Sequence, residues 1–126
     1  MTAPLHFQLA GTHACYRPEG QVLLSEAIDL ISTAIAYARE SAIEKILVDS
    51  TQLTGFAPLN TSARFWMAKQ FVTAAKSVVK VALLARPEMI DPDRFGVTVA
   101  RNLGLHANVF DSEADALAWL LADQSE

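Results

Sequence analysis

The sequence predicts an α/β fold: a mixed, mainly parallel sheet of about five strands with four main helices, in the order β-β-α-β-α-β-α-β-α. Three observations carry this expectation. Ile46-Leu47-Val48, Val79 to Ala85 and Ala107 to Phe110 are short runs apolar on both faces, as strands of a covered sheet are. Longer stretches with apolar residues at helical spacing lie between and after them. The chain also opens on two short segments separated by a turn. Strands alternating with helices make the sheet mainly parallel, with right-handed crossovers.

Taken in order, Leu5 to Leu9 is apolar at 5, 7 and 9, the pattern of a half-buried strand. Ala10-Gly11-Thr12 reads as a turn and His13 to Arg17 as a second strand, paired antiparallel to the first. Pro18-Glu19-Gly20 closes that strand, since Pro fixes φ and Gly permits positive φ. From Leu24 to Arg39 a helical stripe runs through Leu24, Ala27, Ile28, Ile31, Ile35 and Ala38. Ser25 is the expected cap; the residue three on is Ile28, so no capping box accompanies it. Ile46 to Val48 then forms a central strand ending at Asp49-Ser50.

Asn60 or Thr61 caps a helix reaching about Ser77, with Phe65, Val72 and Ala75 expected to face the sheet and Trp66 on a flank with Gln70 and Thr73. Val79 to Ala85 is the next strand. Asp91 as N-cap and Pro92 at the first helical position start a third helix, with Phe95, Val99 and Leu103 at helical spacing and Gly104 at its stop. Ala107 to Phe110 is a shorter strand nearer an edge. The last helix follows Asp111-Ser112; Ala116, Leu117, Leu120 and Leu121 face the core, and Glu113 and Asp115 suit the positive end of its dipole.

The 126 residues fit one domain spanning 1–126, with the polar tail 122–126 expected to fray. An apolar fraction of 52% with 19% charged residues excludes a disordered chain. A net charge of −4 argues against a general nucleic-acid binder, which presents a basic face. The single cysteine excludes an internal disulfide framework and a multi-cysteine zinc site. The N-terminus has no signal-peptide pattern, and no apolar stretch reaches the ~20 residues of a membrane span. A cytoplasmic protein is the expectation.

Several strings in order resemble the STAS domain (sulphate transporter and anti-sigma factor antagonist), in its SpoIIAA-like or STAS/SEC14 branch. They are Arg17-Pro18-Glu19-Gly20 leading to Leu24-Ser25-Glu26-Ala27, Ile46-Leu47-Val48-Asp49, Leu53-Thr54-Gly55-Phe56, Val79 to Leu84, and Phe110 to Leu120. The resemblance covers nearly the whole chain. It implies a STAS-like fold and a regulatory role. In anti-sigma factor antagonists a serine or threonine after the third strand is phosphorylated by a partner kinase, within the pattern Asp-Ser-Ser/Thr-Gly-Leu. This chain reads Asp49-Ser50-Thr51-Gln52-Leu53, which places Thr51, with Ser50 beside it, at the acceptor position. It departs from the pattern at Gln52, and Gly55 arrives late. The likeness to SEC14-type domains implies an apolar ligand by analogy.

Candidate chemistry is sparse. Asp49 ends a central strand, where open α/β sheets place ligands. A phosphoacceptor aspartate needs further carboxylates to hold a divalent metal, and the loop 10–12 offers none. The plainer role for Asp49 and Ser50 is to bond loop amides and shape the turn. His13 and Cys15 share a strand face, but a nucleophilic pair needs an orienting third group. His6, His13 and His106 lack metal-ligand spacing, and the common catalytic fingerprints are absent. Arg94 and Arg101, seven apart, either bind an anion or form a solvated helix face. Trp66 on its flank, with Phe56 and Leu59 before it, suits a partner contact, a pocket wall or plain packing.

The resulting expectation is a non-catalytic regulatory or interaction module. It binds a protein partner through the loop Asp49 to Leu59 and the following helix, with no catalytic residue, metal or cofactor. The alternative is a carrier or sensor of a small apolar, lipid-like ligand held near Phe56 and Trp66. The apolar flank and the commonness of two-fold dimers add homodimerisation.

Overall fold

The structure, a computed structural model, describes residues 2–122. Residues 123–126 of the expected frayed tail lie outside the described residues. The strands are β1 (Phe7–Ala10), β2 (His13–Tyr16), β3 (Gly20–Gln21), β4 (Lys45–Asp49), β5 (Leu53–Thr54), β6 (Lys80–Leu84) and β7 (Ala107–Phe110). The helices are α1 (Leu24–Glu40), α2 (Thr61–Ala75), α3 (Phe95–Asn102) and α4 (Glu113–Leu121), with a short 3-10 turn at Pro87–Met89. Five strands form the main sheet in the order β1-β2-β4-β6-β7. β1 pairs antiparallel with β2; every other neighbour is parallel. The mixed, mostly parallel five-stranded sheet with four helices is therefore present.

Period two sorts β4 and β6 between two cores. Ile46, Val48 and Val81 join a large cluster with α1, α2 and α3 on one face. Leu47, Ala82 and Leu84 join a smaller cluster with Ala116 and Leu120 of α4 on the other. α1 follows the expected stripe, with Ala34 added to it. Lys80 is also buried: its Nζ donates to the Trp119 carbonyl at 2.7 Å and lies 4.5 Å from the centre of that indole.

Several expectations change in register or direction. The first strand starts at Phe7, and Leu5 and Leu9 are 80% and 62% exposed, because β1 is an edge strand and only Phe7 reaches the aromatic contacts with Tyr16 and Tyr37. The cap of α1 is Leu23 rather than Ser25; Glu26 reaches back to accept from the Leu23 N–H at 2.9 Å, half of a capping box. In α2, Asn60 caps as expected, accepting from Ala63 N at 2.8 Å. Phe65 is 46% exposed, however, because the inward stripe is Ala68, Phe71 and Ala75. The N-cap of α3 is Arg94, in the left-handed region, and not Asp91; the Asp91 carboxylate instead accepts from Phe95 N at 2.9 Å across the turn 92–94, so the helix begins at Phe95 and not at Pro92. Leu103 and Leu121 are exposed at the ends of short helices that have already turned past the core.

One addition was not in the pattern. β3 and β5 form a separate two-stranded parallel sheet, too short for either residue pair to show a period.

Both α1 and α3 end in a Schellman turn. After α3 the left-handed residue is Gly104, with Leu105 N bonded to Ala100 O at 2.9 Å. After α1 it is Ala42, at φ 61°, with Ile43 N bonded to Ala38 O at 2.8 Å. A Cβ in that conformation is strained. Ala42→Gly is expected to stabilise the fold by about 0.5–1 kcal/mol, read as a raised denaturation midpoint at unchanged m-value.

Candidate functional site

The carboxyl end of β4 carries the residues that sequence reasoning singled out, and the structure gathers them into one bonded corner. Asp49 is the last residue of β4 and its side chain is only 13% exposed. Its Oδ1 accepts from Thr51 N at 3.0 Å and from the Thr51 hydroxyl at 2.6 Å, the Asx arrangement that turns the chain. Its Oδ2 accepts from Arg17 Nη1 at 2.9 Å. Arg17 also grips Glu113 with both terminal nitrogens, at 2.9 Å each. One guanidinium thus ties the ends of β2 and β4 to the first turn of α4. These two carboxylates, with the hydrogen bonds to them, strengthen the hold of Arg17 on its proton despite partial burial.

Ser50 is committed to the sheet. Its backbone N–H and its hydroxyl both donate to the Leu84 carbonyl at 2.9 Å, fastening the end of β4 to that of β6. The turn-shaping role is therefore realised by Asp49, whereas the Ser50 hydroxyl bonds a strand carbonyl instead of a loop amide. Thr51 remains partly exposed beside them.

The loop after Thr51 is pressed against β3. Gly20 N and Val22 N donate to Gln52 O and Thr54 O at 3.1 and 2.8 Å. Gly55 sits at φ 105°, and a Cβ there would lie 2.5 Å from the Val22 carbonyl oxygen. Position 55 demands glycine; Gln52, which departs from the family pattern, does not have a positive φ.

Beyond this loop the sheet is not tightly covered. Two small cavities lie under the first half of α2. One, of about 70 Å³, is lined by Phe56 and Leu59 with Ile28, Ile31 and Met67. The other, of about 90 Å³, lies between α2, α3 and strands β6 and β7. Arg64, Met67, Leu83 and Met89 belong to both. Phe56 and Leu59 are thus brought together, but Trp66 lines neither cavity; it is 42% exposed on the outer side of α2. Its wall position is taken by Met67, one residue on. Sequence reasoning passed over Arg64 and Met67, although positions 64, 67, 68 and 71 trace one helical stripe and Arg64 is a charge on it.

Other candidates take structural places. Arg94 Nη1 donates to Val109 O at 2.6 Å and Arg101 Nε to Ala107 O at 3.0 Å, so both cap the outer edge of β7 while staying exposed, as a solvated face does. His13 Nε2 and Cys15 Sγ are 3.6 Å apart, and burial pushes the thiol pKa up, against the opposing pull of Arg17. That direction suppresses the thiolate. Among the described residues no group of three or more His, Cys, Asp or Glu is placed to hold a metal, and no helix is long and apolar enough to cross a membrane.

Comparison with family models gives no match, and no curated protein matches the chain. Among solved structures, the NMR structure of the protein TM1081 is similar, with a TM-score of 0.50 and 10% sequence identity over 98% of this chain and 93% of that one. At that identity the likeness is one of fold alone.

Two measurements test the corner. Arg17→Ala is expected to cost about 1 kcal/mol in urea titrations at low salt, and more than Glu113→Ala, because it leaves the better-buried Asp49 without its cation. Gly55→Ala is expected to cost about 2 kcal/mol or more, whereas Gln52→Gly costs under about 1 kcal/mol.

Proposed function

We propose that the chain is a non-catalytic, cytoplasmic regulatory module of the STAS kind, working on a protein partner through residues 49–59 and the start of α2. The observation that carries this reading is the 2.6 Å bond from the Thr51 hydroxyl to Asp49. A threonine that accepts a phosphoryl group must lose its proton, and Asp49 Oδ1 is placed to receive it. The product would set a phosphate of about −1.5 to −2 charges against the Asp49 carboxylate. That repulsion would undo the Asx turn and reshape the loop that leads through Phe56 and Leu59 into α2. The resemblance to the Asp-Ser-Ser/Thr pattern supports the same residue. Ser50 is the lesser candidate, since its hydroxyl is bonded to Leu84 O. Leu23, Phe65 and Trp66 are exposed apolar side chains before α1 and on α2, and they support a partner or a second copy docking there.

Native mass spectrometry of the chain purified from its own host tests this. A mass raised by one phosphate, mapped to Thr51, supports the switch. Turnover of a small substrate abolished by one substitution in 49–59 would sink it. Thr51→Glu is expected to destabilise the fold by about 1 kcal/mol at low salt, with the deficit shrinking as salt rises. Thr51→Val loses a similar amount without that salt dependence, as thermal melts at two ionic strengths will show.

A second reading, the carrier or sensor of a small apolar ligand, is favoured by Leu83. It stands in β6, an inner strand of the parallel set, yet it is only half-buried between buried Ala82 and Leu84, beneath both cavities. The pocket this reading uses is that of Phe56, Leu59 and Met67, without Trp66.

A further inference from the structure

We infer that the two cavities form one site for a small amphiphilic carboxylate, its apolar body lying over Leu83 and its carboxylate on Arg64. The inference rests on the second reading above and gives it a ligand class.

The space has a sequence origin. Ala68, Ala85, Ala100 and Ala107 all line the larger cavity, so four short side chains from α2, α3 and the sheet meet where larger ones would fill the gap. Met67 and Met89 line both hollows, with Arg64, Leu83 and Ala85, and supply the flexible apolar side chains between them. Methionine is unbranched and repacks readily, so these side chains can yield to a guest. An apolar hollow of about 150 Å³ holds a molecule of benzene size. The joined space is of that order, which sets the guest at roughly six to eight carbons, well below a long-chain lipid.

Charge sets the headgroup. Three arginines border the space. Arg94 is spent on Asn108 Oδ1 and Val109 O, at 2.9 and 2.6 Å. Arg86 donates to Leu53 O at 3.3 Å and pairs with Glu88 at 3.5 Å. Arg64 borders both hollows, makes no ion pair among the described residues, and donates to Met89 O at a long 3.4 Å. A guanidinium has five N–H donors in a fork that matches a carboxylate. The acidic side chain on the lining, Asp91, already accepts from Phe95 N and Asp93 N, and these backbone bonds, chiefly that from Phe95, hold its pKa down. Asp91 is therefore largely occupied at the start of α3, with a smaller pull from the Arg64 charge, and Arg64 borders a mainly apolar space with donors beyond its long Met89 bond.

The test uses the full chain with ¹³C-methyl methionine, titrated with octanoate and, separately, with 1-octanol. Octanoate is expected to shift the Met67 and Met89 methyls saturably and to bind at least about tenfold more tightly than 1-octanol. Arg64→Gln is expected to weaken octanoate by about tenfold and leave 1-octanol unchanged. Ala100→Leu, which fills the larger hollow, should weaken both. Equal affinity for the two probes, or an Arg64→Gln variant that binds octanoate as the parent does, would overturn the carboxylate assignment while leaving the apolar pocket in place. No saturable shift with either probe would overturn the pocket as well.

Discussion

Everything in this fold depends on burying β4 and β6 from both sides. Ile46, Leu47 and Val48 are fully buried although alternate residues point to opposite faces. A strand with that composition needs an apolar layer above and below it. Three crossovers between parallel strands deliver α1, α2 and α3 to one face, and the chain finishes with α4 on the other. One helix of nine residues covers β4, β6 and β7 but not the whole sheet. The far part of that face, on β1 and β2, is accordingly small or polar, with Gln8 and Ala10 exposed and His13 and Cys15 half-buried.

The same arrangement concentrates chemistry at the carboxyl ends of the strands. Parallel strands end together, so Arg17, Asp49 and Leu84 O arrive at one level, and the first turn of α4 adds Glu113. Asp49 serves two masters there. Oδ2 anchors the sheet to α4 through Arg17, and Oδ1 shapes the loop through Thr51. A change at Thr51 is thereby felt in the loop first, while Arg17 holds the scaffold behind it. At the other end of the sheet, Arg94 and Arg101 block the outward carbonyls of the β7 edge.

The helix layer is less complete than the sheet beneath it. α2 approaches closely because Ala68 and Ala75 face inward, and the bulk of Phe65 and Trp66 is turned away. Close approach with small residues leaves hollows where the neighbours are small too. The half-exposure of Leu83 follows from this packing, as does the position of a charged Arg64 beside apolar space.

Strand and helix order, the central place of Ile46 to Val48, the α1 stripe and the edge position of β7 were all legible in the sequence, because period and run length report burial directly. The shaping role of Asp49 was legible as well, since an Asx turn is a local bond. The rest required tertiary structure. The starts of α1 at Leu24 and α3 at Phe95 are marked by bonds that residue types alone left open, Glu26 accepting from Leu23 N–H and Asp91 from Phe95 N–H. Phe65 points outward because the inward face of α2 is the stripe of Ala68, Phe71 and Ala75, and hydrophobicity alone ranks it the other way; the flank position of Trp66 was already legible. The Arg17 bridge joins residues 32 and 96 positions apart. The parallel pair β3–β5 is two residues long, too short to carry a pattern. A cavity is a failure of distant side chains to meet, and no local pattern records it.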